Sequence, residues 1–167
     1  PLFEDGQGLN PLLQNYWMTI HPPTLFLGFA ATSVPFAYAI AGLADREDRS
    51  WMRPALRWSF FTIGILGTGI LMGGAWAYEA LSFGGFWAWD PVENSSLVPW
   101  LTTVAGGHLL LINRNRQKPL ALFSTYYFIL ISFLLVLYST FLTKSGILGD
   151  TSVHSFVDSG ILPQLLV

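Results

Sequence analysis

The chain is 167 residues long, with 52% hydrophobic, 16% aromatic and 11% charged residues and a formal net charge of -2. A soluble domain carries about 25% charged residues, so this composition belongs to the membrane class and points to no nucleic-acid partner. The chain holds no cysteine, which excludes disulfides, thiolate metal sites, cysteine nucleophiles and C-x-x-C redox chemistry within it.

Residues 1–23 are polar, then aromatic, and contain no Lys or Arg. Pro1 follows neither an initiator Met nor a signal sequence, so the chain reads as a fragment of something longer. Residues 24–44 are almost continuously apolar. At 1.5 Å per residue they reach about 31 Å, enough to cross a bilayer, with a kink expected at Pro35. A hydrophilic loop over 45–57 carries Arg46, Arg49, Arg53 and Arg57. The second apolar span, 58–78, contains Gly69 and Gly73, a small-xxx-small pair suited to close helix packing.

A tryptophan-rich loop occupies about 79–94, followed by a third span at 95–112. A short basic loop at 113–118 then holds Arg114, Arg116 and Lys118, and the fourth span covers 119–142. The tail is polar around Lys144 and turns apolar from Ile161, consistent with the start of a fifth helix. The expected fold is therefore all-α, a single polytopic membrane helix bundle.

Of eight Lys and Arg residues, four lie in the 45–57 loop and three in the 113–118 loop; only Lys144 lies on the opposite side. By the positive-inside rule the basic loops face the cytoplasm, and both chain ends and the tryptophan-rich loop face outward.

That loop reads Ser82-Phe83-Gly84-Gly85-Phe86-Trp87-Ala88-Trp89-Asp90-Pro91-Val92-Glu93-Asn94. Its glycines permit close approach of a flat object, and Trp87 and Trp89 supply rigid faces with one N–H each. Asp90 reads as an N-cap, Pro91 as the first helical residue and Glu93 as the third, a capping box for the next helix. Trp17, Trp51, Trp58, Trp76 and Trp100 are accounted for as a membrane-interface belt.

Three histidines fall at informative places. His21, in Ile20-His21-Pro22-Pro23, stands just before the first span, and His154 stands after the fourth, both on the outer side with the tryptophan loop. His108 lies within the third span beside Gly106 and Gly107. An ionisable group at such depth is expected to face the bundle interior, with the glycines clearing space, and to be functional. Histidine is a common axial ligand of haem iron. Two outer histidines flanking an aromatic shelf suit the two axial positions of one haem, whereas His108 would need a ligand of another kind or from elsewhere.

The run Gly84 to Asn94 resembles the tryptophan-rich WWD signature of the haem-handling membrane proteins of cytochrome c maturation. Its ending, Asp90-Pro91-Val92-Glu93-Asn94-Ser95, is similar to that of the CcmF-type cytochrome c haem lyases. The resemblance extends from Asn10-Pro11-Leu12-Leu13-Gln14 through His21-Pro22-Pro23 to His154. It implies an inner-membrane haem lyase of bacteria that attaches haem vinyl groups to the cysteine pair of an apocytochrome c on the periplasmic side. It implies that His21 and His154 hold the substrate haem, with Trp87 and Trp89 completing the catalytic group and Gly84, Gly85, Phe86 and Asp90 helping to bind. His108 matches a ligand of a resident haem b whose partner lies in a later helix outside this chain. A haem chaperone and proteins of apocytochrome thioreduction and delivery are the implied partners.

Two positions depart from the family: Phe83 stands where Trp is common, and Phe86 where a larger or more polar aromatic is usual. Ring area is kept and the polar handle lost. Two other readings compete. A haem exporter or other transporter suits His108, Pro35 and Pro99, but nearly all ionisable groups lie in loops, a poor lining for a pathway. A non-catalytic docking module explains the helices but not His108 beside two glycines.

Overall fold

The structure, a computed structural model, describes residues 8–46, 49–82, 84–148 and 152. After a short 3-10 turn at Pro11–Leu13 come four α-helices: α1 Tyr16–Ala44, α2 Met52–Ala80, α3 Pro91–Asn113 and α4 Leu122–Lys144. Each is long and apolar enough to cross a membrane. The fold is all-helical among the described residues. The helices run up and down in order, and α4 returns to pack on α1.

The helices overrun the apolar stretches that announce them. α1 begins at Tyr16 rather than at 24, capped by the Asn15 side chain, which accepts the Trp17 backbone N–H at 2.8 Å. His21 and both following prolines therefore lie inside α1. Arg53 and Arg57 likewise belong to α2, not to a loop. Hydropathy marks where side chains are apolar, whereas the backbone ladder continues wherever it is capped and unobstructed.

Glycines bring the helices into contact. A Cβ on Gly28 would sit 2.6 Å from Leu66 Cα, and one on Gly69 2.8 Å from Leu25 Cα, so α1 and α2 touch backbone to backbone. Between α3 and α4, Ser95 and Ser139 hydroxyls meet at 2.9 Å, and Ser132 donates to Thr102 at 2.9 Å. Such links replace the hydrophobic drive that is weak between helices in lipid.

Several tryptophans act as fasteners rather than as an interface belt. Trp51 and Trp76 are each 3% exposed. Trp51 stacks on Tyr126 at 4.5 Å between ring centres, Trp76 donates to the Leu12 carbonyl at 2.9 Å, and Trp100 donates from α3 to the Ile63 carbonyl of α2 at 2.9 Å. Trp58 is exposed.

Candidate functional site

The start of α1, the end of α2, the start of α3 and the end of α4 converge at one end of the bundle around a cavity of about 320 Å³. Its wall includes His21, Phe26, Phe29, Ile70, Trp87 and Glu93. This volume falls in the range of small-molecule sites, roughly 300–1,000 Å³.

His21 is packed into this wall by glycine. Its ring occupies the space a side chain at Gly73 would need, with Cε1 2.6 Å from the position of such a Cβ. Its Nδ1 lies 2.7 Å from the Gly69 carbonyl oxygen. A carbonyl only accepts, so Nδ1 carries the proton and, in the neutral ring, Nε2 carries the lone pair. Metal-ligating histidines usually donate their other ring N–H to a carbonyl or carboxylate in this way.

The tryptophan loop divides its two indoles. Trp87 lines the cavity, and its Nε1 is buried with no hydrogen-bond partner among the described residues. Trp89 is 72% exposed, stands edge-on to Trp87 at 6.4 Å, and does not line the cavity. Phe86 lies over α2, its ring where a side chain at Gly74 would otherwise be. Gly84 takes φ 72°, a conformation that favours glycine. Gly84, Gly85, Phe86 and Asp90 help to shape the loop without lining the cavity.

The capping box at the start of α3 holds the loop. Asp90 Oδ1 accepts the N–H groups of Val92 and Glu93 at 2.6 and 3.0 Å. Glu93, only 8% exposed, accepts from Ala88 N–H at 2.9 Å and from Asp90 N–H at 3.4 Å. Asp90 Oδ2 accepts from the Ser152 hydroxyl at 3.0 Å, which ties the chain after α4 to the mouth of α3. His154 and Phe83 lie outside the described residues.

His108 is not part of this cavity. It is exposed on the flank of α3, directed away from the four-helix bundle, with Nδ1 2.8 Å from the Val104 carbonyl of its own helix. The expectation that it faces the interior is therefore corrected. So is the role of its neighbours. A Cβ on Gly106 would meet Ile129 Cδ1 at 2.8 Å and one on Gly107 would meet Ile63 Cδ1 at 2.8 Å. These glycines let α4 and α2 approach and leave no space for a ligand. His108 also stands five residues from the end of α3 at Asn113, about 7.5 Å along the axis, and so well off its midpoint.

The sequence reading missed two contributions. The end of α4 lines the cavity with Ser139, Thr140 and Thr143; their clustering in the last turns of the helix is a signal that would have found them. At the rim, Glu79 accepts from Trp17 Nε1 at 2.9 Å and from Asn15 Nδ2 at 3.0 Å, joining the end of α2 to the start of α1.

The sequence profile described as Cytochrome C assembly protein matches residues 1–148. The chain belongs to the cytochrome c assembly protein family. Among curated relatives it is 44% identical over 155 residues to the cytochrome c-type biogenesis protein CcmF of Pseudomonas aeruginosa, covering 91% of this chain and 23% of that protein. It is 43% identical over 153 residues to CcmF of Escherichia coli, again 91% and 23%. To the cytochrome c-type biogenesis protein NrfE of Haemophilus influenzae it is 37% identical over 162 residues, 93% and 24%. The chain thus spans about a quarter of the length of these relatives. No solved structure matches it. As a member of the cytochrome c assembly family, the chain has its cavity and its tryptophan loop both within the matched residues.

Proposed function

We propose that this chain is the haem-holding part of a cytochrome c biogenesis protein, and that the cavity among the four helix ends receives haem as the substrate of a haem lyase. The observation that carries this reading is His21, an imidazole set by Gly69 and Gly73 in the wall of an aromatic cavity, with its Nδ1 oriented by the Gly69 carbonyl. The buried Trp87 N–H, unpartnered among the described residues, is a second support, since a buried donor without an acceptor is costly unless a ligand supplies one. His154 is the proposed second axial ligand. Ser152, two residues before it in sequence, is hydrogen-bonded to Asp90 at the mouth of α3.

The chain's contribution is position. Thioether formation adds a cysteine S–H of the apocytochrome across a vinyl double bond, forming a C–S bond and moving the hydrogen to the other vinyl carbon, with no oxidant consumed. The cysteines belong to the apocytochrome, so none is needed here. Holding the two reactants in one orientation supplies most of such a rate gain. In this reading Trp87 packs on the macrocycle, and exposed Trp89 faces the incoming apocytochrome. The proposed sidedness puts this end of the bundle in the periplasm and the basic loops in the cytoplasm. A haem chaperone and delivery proteins would dock on the periplasmic side.

His108 is proposed as a ligand of a resident haem b. Its outward direction suits a second ligand from a part of the protein outside this chain, and Val104 already holds its Nδ1 proton. When bound, that haem would supply one-electron transfer to keep the substrate iron reduced. The test is the reduced-minus-oxidised spectrum of the full-length protein beside His108→Ala and His21→Ala. A b-type band lost in the first variant and kept in the second supports two separate sites. Absence of any haem from the wild-type protein under haem-replete expression would overturn the reading.

A further inference from the structure

At the opposite end of the bundle, Arg49, Arg53 and Arg114 line a second cavity of about 490 Å³ between the α1–α2 and α3–α4 connections. We propose that this cavity binds the anionic headgroup of a membrane phospholipid.

The charge comes first. Arg49 and Arg53 at the start of α2 and Arg114 at the end of α3 line one cavity, and among the described residues none forms an ion pair with a carboxylate, Asp45 included. Orientation of the chain in the membrane needs basic residues somewhere in these loops; it does not need them to converge. Arginine's planar fork suits phosphate oxygens, two at a time.

The first turn of α2 adds to this potential. Trp51 occupies its N-cap and makes no side-chain capping bond, because an indole offers no acceptor. The positive end of the helix dipole is thus uncapped by any side chain beside Arg49 and Arg53.

Shape chooses the source of the phosphate. Beside its arginines the cavity is lined by the apolar side chains of Met52 and Leu56. A free anion would gain nothing from that apolar surface, whereas a phospholipid has a charged head joined to an apolar neck. The site also lies at the ends of membrane-crossing helices, the depth at which headgroups sit and where basic pockets between helices hold anionic lipids. Asn113 keeps the wall in shape: its side chain accepts from Leu120 N–H at 2.7 Å and donates to the Leu120 carbonyl at 3.0 Å.

The experiment is native mass spectrometry of the full-length protein in detergent, titrated separately with dioleoyl phosphatidylglycerol and dioleoyl phosphatidylcholine. Wild type should retain phosphatidylglycerol preferentially. The variant Arg49→Gln/Arg53→Gln/Arg114→Gln should lose that preference by roughly tenfold or more, on the scale of surface attraction per basic residue. A control, Arg57→Gln/Arg116→Gln/Lys118→Gln, removes as much charge from the same end outside the cavity and should retain the preference. Single Arg53→Gln, expected to show a partial loss, serves if the triple variant does not fold. Equal loss in both triple variants, or loss in neither, overturns the proposal. Displacement of the bound lipid by millimolar inorganic phosphate would assign the site to a soluble anion instead.

Discussion

The Glu93 carboxylate reaches back across the start of its own helix to accept the backbone N–H of Ala88 at 2.9 Å. With the bond to Asp90 N–H, it brackets Trp89, which adopts a left-handed φ of 59°. A non-glycine residue in that region costs roughly 1–2 kcal/mol. Asn94 completes the clamp by donating to the Trp89 carbonyl at 2.9 Å. Capping and loop geometry are thus one device: the residues that start α3 also hold the tryptophan signature in a strained form.

Glu93→Ala removes the acceptor from two N–H groups, and Asp90→Ala removes the cap. We expect each to lower stability, by about 1–3 kcal/mol for the first and about 1 kcal/mol for the second. Glu93→Gln, which keeps a carbonyl acceptor, should lie closer to wild type. Thermal unfolding of the three variants in detergent checks the order; wild-type stability in Glu93→Ala would contradict the clamp.

Trp89→Gly separates conformation from chemistry at the exposed indole. Glycine accepts φ 59° freely, which offsets much of its greater unfolded-state entropy. Stability should change by no more than about 1 kcal/mol, while cytochrome c production in a complementation assay falls. Unchanged production would remove Trp89 from the proposed reaction site.

Trp87 and Trp51 both bury an indole N–H that has no partner among the described residues. Replacing either by Phe removes that N–H at a small loss of area, so neither substitution should destabilise the protein by more than about 1 kcal/mol. Only Trp87 lines the proposed haem cavity. Trp87→Phe should therefore weaken haem retention, and Trp51→Phe should not. Haem content per protein after purification distinguishes them.

Gly28 and Gly64 make a paired test of helix approach. A Cβ on Gly28 would press on the Leu66 backbone at 2.6 Å, whereas one on Gly64 meets nothing within 4 Å. Gly28→Ala should destabilise by about 1–3 kcal/mol through overpacking. Gly64→Ala should stabilise by up to about 1 kcal/mol through helix propensity. Opposite shifts in melting temperature are the expected result.

Much of the architecture is local and was legible in the residues. Four apolar runs of membrane-crossing length and the Asp90–Pro91–Glu93 capping box each act over a few residues, so their consequences follow from spacing alone. The direction of side chains across the bundle is not local. The helices are apolar nearly all round, so no amphipathic face announces which side packs inward. Only the packed structure turns His21 to the Gly69 carbonyl, sends Trp87 into the cavity and Trp89 out of it, and spends Gly106 and Gly107 on contacts with Ile129 and Ile63. His108 faces outward for the same reason. With its glycine neighbours taken up by α4 and α2, the remaining flank of α3 carries the imidazole away from the bundle.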